Sequence, residues 1–230
     1  MVASPILTMP VSVGAESMIS LRSARSGVRN AIKGAIFDMD GTLTKSVIDF
    51  KKMRRSVGIM EGDILEAMHA ASPQKRKEMD AAISEVEREA LDKMEMMPGV
   101  LDVCKMLDGQ NIPRGLITRN TTESVVHFHD KCFPLSPFTP ALCRGFLPYK
   151  PHPGGILHIC EQWNIRPDEC IFIGDCPEND IVCGNRAGAL TLLLDEENKY
   201  TEETLIGEQC PTFKVATMVE ARSIFEDLFQ

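Results

Sequence analysis

Four short stretches of the chain carry side chains that could do chemistry together. Asp38-Met39-Asp40-Gly41-Thr42 holds two carboxylates, and Thr118-Arg119-Asn120 offers a hydroxyl, a guanidinium and an amide. Lys150 stands in Tyr149-Lys150-Pro151-His152-Pro153, and Asp175 and Asp180 bracket Cys176-Pro177-Glu178-Asn179. Gathered at one place, Asp38, Asp40 and Asp175 would set like charges within a few ångströms, which forces protonation unless a cation is present. Mg²⁺ suits such oxygen ligands and keeps coordination positions for water and a phosphate oxygen. Phosphoryl transfer asks mainly for positioning and charge neutralisation, which Mg²⁺, Lys150 and the Thr118 hydroxyl would supply. A carboxylate is ordinarily ionised at neutral pH, so Asp38 would need no base to attack phosphorus. Asp40 could then protonate the leaving oxygen and later accept a proton from water.

These stretches converge only if the elements before them are strands of one sheet. Gly34-Ala35-Ile36-Phe37, Arg114-Gly115-Leu116-Ile117, Cys170-Ile171-Phe172-Ile173-Gly174 and Leu190-Thr191-Leu192-Leu193-Leu194 are short apolar runs of the kind that form buried parallel strands. Phe213 to Val215 would add an edge strand. Helical spacing lies between the runs: Val100, Val103, Cys104 and Leu107; Ile156, Leu157, Ile159 and Cys160; Glu178 to Ala187; and Val219 to Leu228. Alternation of this kind predicts an α/β fold with a doubly wound parallel sheet. In such sheets ligands bind beyond the carboxyl ends of the strands, where the reactive stretches fall.

One segment departs from the alternation. Between Lys45 and Met97 only helical spacing is found, with Met79, Ile83, Val86, Ala90 and Met94 at steps of three or four. Ser72-Pro73 is a helix start, and Pro98-Gly99 is read as the stop. The expected organisation is an N-terminal extension over 1–32, a core domain over 33–44 and 98–230, and a small helical cap over 45–97.

Phe37-Asp38-Met39-Asp40-Gly41-Thr42-Leu43 resembles the nucleophile motif of the haloacid dehalogenase (HAD) superfamily. Leu116-Ile117-Thr118 resembles its second motif, Lys150-Pro151 its third, and Gly174-Asp175 with Asp180 its acidic fourth. The resemblance runs from about Lys33 to Leu194 and is nearest the phosphoglycolate-phosphatase-like branch with a small helical cap, among plant-type HAD-like hydrolases of unassigned substrate. It implies a Rossmann-like core, Asp38 as nucleophile, Asp40 as acid/base, and Thr118 and Lys150 on the phosphoryl group. It also implies Mg²⁺ held by Asp38, the Asp40 carbonyl and Asp175, with Asp180 in support. Arg119 and Asn120, after the second motif, are further candidates for phosphate contact; Arg119 stands where many relatives carry Asn or Ser.

Composition narrows the alternatives. A chain of 230 residues with 43% hydrophobic and 25% charged residues can bury one substantial core. A net charge of −8 argues against nucleic acid as a partner. No apolar run approaches the roughly 20 residues of a membrane span. None of the eight cysteines forms a Cys-x-x-Cys pair, which leaves structural zinc unsupported and favours a reducing compartment. The first thirty or so residues are Ser-rich and carry Arg22, Arg25, Arg29 and Lys33 against a single Glu16. They read either as an organellar transit peptide or as a disordered extension, so the expected location is intracellular, in cytoplasm, chloroplast or mitochondrion.

The reading that best unites these features is hydrolysis of a small phosphorylated metabolite through an aspartyl-phosphate. A sugar-phosphate mutase would use the same aspartates, and a binding protein of this fold would be expected to lack a catalytic group. His127-Phe128-His129 has metal-like spacing without a neighbouring partner set and is expected to be a solvated pair. The Lys51, Lys52, Arg54 and Arg55 cluster is either a solvated face or a phosphate-facing part of the cap. Trp163 is expected to pack on its helix, and Cys176 to be a plain loop thiol.

Overall fold

The computed structural model describes residues 32–229. The compositional reading of the N-terminal extension therefore lies outside the described residues, except for Ile32, which is buried in the core.

Six strands form one parallel sheet: β1 (Gly34–Phe37), β2 (Arg114–Ile117), β3 (Ala141–Leu142), β4 (Cys170–Gly174), β5 (Leu190–Leu194) and β6 (Phe213–Val215). Their order is β3-β2-β1-β4-β5-β6. The helices are α1 (Phe50–Val57), α2 (Ile64–Ala70), α3 (Pro73–Leu91), α4 (Val100–Gly109), α5 (Thr122–His127), α6 (Gly154–Trp163), α7 (Val182–Ala187) and α8 (Met218–Leu228). Strands β1, β2 and β4 are buried throughout, because helices cover both faces. Successive side chains point to opposite faces. Ala35 and Phe37 accordingly pack with Val103, Leu107 and Phe225 of α4 and α8, while Ile36 packs with Ile156, Ile159 and Cys183 of α6 and α7. Full burial of each large apolar side chain contributes about 1.5–3 kcal/mol.

The apolar runs read from sequence coincide with β1, β2, β4 and β5, and the edge strand with β6. Strand β3 was not anticipated, since two residues are too few for a periodic signal; it exists through pairing of Ala141 with Leu116 and Leu142 with Ile117. The segment from Glu178 also differs, because Pro177–Ile181 forms a single π turn before α7 begins. Trp163 packs its indole across β1 and β2. A Cβ at Gly34 would lie 2.6 Å from the ring and one at Gly115 3.0 Å, so only glycine admits this approach. The indole N–H donates to the Thr139 carbonyl at 3.2 Å.

Helices α1 to α3 lie between β1 and α4 and share their own apolar cluster of Met53, Val57, Ile64, Leu65, Met68, Met79, Ile83 and Val86. Side chains start each helix: Asp49 accepts from Lys52 N–H at 2.8 Å, Asp63 from Leu65 and Glu66 N–H at 2.9 and 3.0 Å, and Ser72 from Lys75 N–H at 3.4 Å. Helix α3 ends at Leu91, earlier than the Pro98-Gly99 stop expected from sequence, and Met94 leaves its apolar face to pack against the main core. The returning chain competes with helix continuation by pairing with the outgoing one: Lys45 N–H donates to Glu95 and Met97 N–H to Leu43, both at 2.9 Å. Gly99, at φ 87°, opens α4 instead of closing α3. No helix among the described residues is long and apolar enough to cross a membrane.

Candidate active site

The strand order explains why distant stretches meet. With β2, β1 and β4 adjacent, the residues that follow them are neighbours at one sheet edge, where the winding direction reverses. Asp38 follows β1 directly, and its N–H donates to Ile173 of β4 at 2.8 Å. The chain then closes a tight loop in which Leu43 and Thr44 N–H both donate to the Met39 carbonyl at 2.9 Å. Gly41 turns this loop at φ 84°, and a Cβ there would run into the Asp175 carboxylate. Its backbone conformation and its neighbour both favour glycine.

Lys150 enters from the loop before α6. Its ammonium donates to Asp38 and, at 2.7 Å, to Asp180 Oδ1. Asp180 Oδ2 accepts the Cys176 N–H at 3.1 Å, so this carboxylate is bound on both sides. Carboxylate oxygens of Asp38, Asp175 and Asp180 lie within 4.8 Å of one another. The Asp40 carboxylate stands outside that trio, and the Asn120 side-chain amide donates to its two oxygens at 3.2 and 3.4 Å. Asn120 Oδ1 accepts the Thr121 N–H at 2.8 Å, while Thr118 Oγ1 accepts the Asn120 N–H at 3.0 Å. Asn120 therefore faces Asp40 with its donors. Arg119 pairs with Asp63 at the start of α2, donates to Asn179 Oδ1 at 3.5 Å and lies 5.9 Å from the Tyr149 ring centroid.

Burial governs the electrostatics. Asp38 is pushed well above the ordinary carboxylate range by desolvation, against the pull of Lys150, with Asp180, Asp175 and Asp40 adding to the rise. Desolvation and then the Asp180 charge push Asp175 up to about 7. Desolvation also raises Asp40, and the Asn120 hydrogen bond works against it. For Lys150 burial acts to lower the value, yet Asp180 and Asp38 outweigh it and hold the ammonium above its usual range. Three carboxylates around one ammonium leave excess negative charge in a buried place. With only oxygen donors in the trio, a hard divalent cation fits the set.

These residues floor a cavity of about 380 Å³, roofed by side chains of α1, α2 and α3. Of the basic cluster only Arg54 lines it. Lys52 instead pairs with Glu89, and Arg55 Nε donates to the Lys51 carbonyl at 3.3 Å. The expectation of a solvated histidine pair is corrected for His129, which is packed among Phe128, Phe133 and Phe138 and accepts the Phe138 N–H at 3.2 Å. Desolvation, followed by the Arg114 charge, lowers its pKa. Sequence reasoning missed two ion pairs in the cavity wall: Arg119 with Asp63, and Glu87 of α3 with Arg144 after β3, in which Arg144 Nε also donates to the Arg119 carbonyl at 3.0 Å. Glu87 does carry a signal, since it stands four residues after Ile83 and three before Ala90, on the buried face.

The chain is 38% identical over 227 residues to a haloacid dehalogenase-like hydrolase domain-containing protein of Arabidopsis thaliana, covering 92% of this chain and 91% of that one. It is 25% identical to phosphoglycolate phosphatase 1 of Pseudomonas aeruginosa, over 78% of this chain and 75% of the relative. Among solved structures, β-phosphoglucomutase of Clostridium difficile superposes with a TM-score of 0.68 at 17% identity, covering 86% of this chain and 97% of the other, a likeness of fold. The family model for haloacid dehalogenase-like hydrolases matches residues 32–188, which span the sheet edge, its carboxylates and the helical insertion, and the chain belongs to that family.

Proposed function

We propose that the chain hydrolyses a small-molecule phosphate monoester in a Mg²⁺-dependent reaction that passes through an aspartyl-phosphate on Asp38. The observation that carries this reading is the division of labour among the carboxylates. Asp38 is held by Lys150 within the trio, and Asp40 is set apart with a donor of its own. Mg²⁺ would be held by Asp38, Asp175 and Asp180, with the Asp40 carbonyl as a further ligand, and would neutralise charge on the phosphoryl oxygens.

The chain's own residues do the rest. Lys150 and the Thr118 hydroxyl orient the phosphoryl group. An Asp38 oxygen attacks phosphorus as the ester P–O bond breaks, and Asp40 gives its proton to the departing alcohol. In the second half Asp40 takes a proton from water, whose oxygen attacks phosphorus and breaks the bond to Asp38. Inorganic phosphate and the free carboxylate result.

Phosphatases among the relatives support the reaction class, and the modest cavity supports a small metabolite as partner. The free thiols support a reducing, intracellular compartment. The test is turnover of p-nitrophenyl phosphate by the purified chain with Mg²⁺ and with EDTA. We expect hydrolysis that EDTA abolishes and Mg²⁺ restores; no hydrolysis with Mg²⁺ present would overturn the reading, and full turnover in EDTA would remove the metal from it.

A further inference from the structure

The roof of the cavity is chemically unlike its floor. Six apolar side chains from the helical insertion and the segment leading into it back the cavity above the carboxylates: Met53, Ile64, Leu65 and Ile83 are themselves buried, and Ile48 and Phe50 carry the accessible apolar surface. Phe50 is conspicuous, because it lines the cavity while remaining 50% exposed. The polar side chains in the same wall are largely committed to each other: Arg119 to Asp63, Arg144 to Glu87, Asn120 to Asp40, and Asn179 to Cys176. Tyr200 borders the same cavity. Arg54 donates to the Gly62 carbonyl, which leaves the Ser46 and Tyr200 hydroxyls for the ligand.

A polyol bound under this roof would bury more hydroxyls than Ser46 and Tyr200 can pair, which is disfavoured. An alkyl or aryl group would instead exchange water for apolar side chains, and each buried methylene strengthens binding about fourfold. Building on the phosphatase reading above, we infer that the alcohol released at this site is apolar. The substrate is a phosphate monoester of an alkyl or aryl alcohol, its phosphate on the carboxylate floor and its hydrocarbon against Phe50 and Ile48, rather than a phosphorylated sugar.

The experiment is a homologous series of ethyl, butyl and hexyl phosphate, with glucose 6-phosphate and p-nitrophenyl phosphate alongside, assayed with Mg²⁺. The alkyl leaving groups are alike in basicity, so changes in kcat/KM along the series read contact with the roof. The expected result is a rise of about fourfold per methylene, with glucose 6-phosphate below butyl phosphate. Phe50→Ser and Ile48→Thr should each flatten the rise, and Phe50 is exposed enough for its loss to spare the fold. A flat or falling series, a preference for glucose 6-phosphate, or a slope that both variants leave unaltered would overturn the inference. In those cases hydrolysis of p-nitrophenyl phosphate would leave the phosphatase reading standing. If no ester is hydrolysed, that reading fails and the inference falls with it.

Discussion

The Asn120 side-chain amide lies 3.2 Å from the Asp40 carboxylate, a contact across 80 residues of chain made possible because β1 and β2 pair side by side. If Asp40 is the acid/base, Asn120 is its positioning partner. Asp40→Asn should slow an alkyl phosphate about 10²–10⁴-fold, the usual contribution of such a group. It should slow p-nitrophenyl phosphate less in the first step, since that leaving group needs little protonation. Phosphoenzyme should accumulate, measured as protein-bound phosphate after an acid quench. Asn120→Ala should cost about tenfold in kcat, the value of one hydrogen bond to a charged group. Equal slowing of both esters by Asp40→Asn with no trapped phosphate would remove Asp40 from the role.

Asp38→Asn should abolish turnover, because an amide cannot form the acyl phosphate. Its effect on stability should be small or favourable. The variant removes a carboxylate that burial disfavours, and Lys150 keeps Asp180 as partner at 2.7 Å. Thermal melts followed by circular dichroism, together with turnover, separate the two effects. A folded variant retaining substantial activity would show that Asp38 is not the nucleophile.

Arg144→Ala leaves Glu87 buried without its charge partner, at 7% side-chain exposure. Breaking a buried pair from one side typically costs about 3–5 kcal/mol. A fall in unfolding free energy of that order, read from urea titration, is expected, and replacing both partners by apolar residues should recover much of it. A single variant as stable as the parent would mean that water or another group compensates Glu87.

Asp195 gives a pH signature away from the site. Its carboxylate accepts Lys199 and Tyr200 N–H at 2.8 and 3.0 Å and pairs with the Lys214 ammonium at 2.9 Å. Burial works to raise its pKa, but the Tyr200 amide, Lys214 and the Lys199 amide hold it below the ordinary value. A depressed carboxylate contributes stability above its unfolded pKa, about 3.9, and loses it as pH falls through the folded value. Asp195→Asn should therefore destabilise most near neutral pH, and the difference from the parent should shrink in acid. Urea midpoints taken from about pH 7 down to about pH 3 check this; a difference that grows in acid would contradict it.

The parts of the site that lie next to a strand were legible in the chain. Asp38, Thr118 and Asp175 each follow a buried apolar run, and the order of the strands does the rest. Helix α3 was legible at its start, where Ser72 and Pro73 act locally, but its end was not. Met94 keeps the helical spacing, yet pairing of the chain near Lys45 with that near Glu95 wins over it. The ion pairs in the cavity wall were invisible for a similar reason. Arg119 and Asp63 are 56 residues apart and Arg144 and Glu87 57, so only the folded arrangement reveals which cation meets which anion.

Trp163 gives the fold a built-in optical probe. It is the chain's single tryptophan, and its ring lies against Gly34 and Gly115, at the start of β1 and within β2. Both tyrosines lie elsewhere: Tyr149 packs against the helical insertion and Tyr200 borders the cavity. Tryptophan emission therefore follows the integrity of the sheet, whereas tyrosine absorbance follows the insertion and the cavity rim. During unfolding, coincident traces would mean that sheet and insertion melt as one unit, and separated traces would give the order in which the roof and the floor come apart.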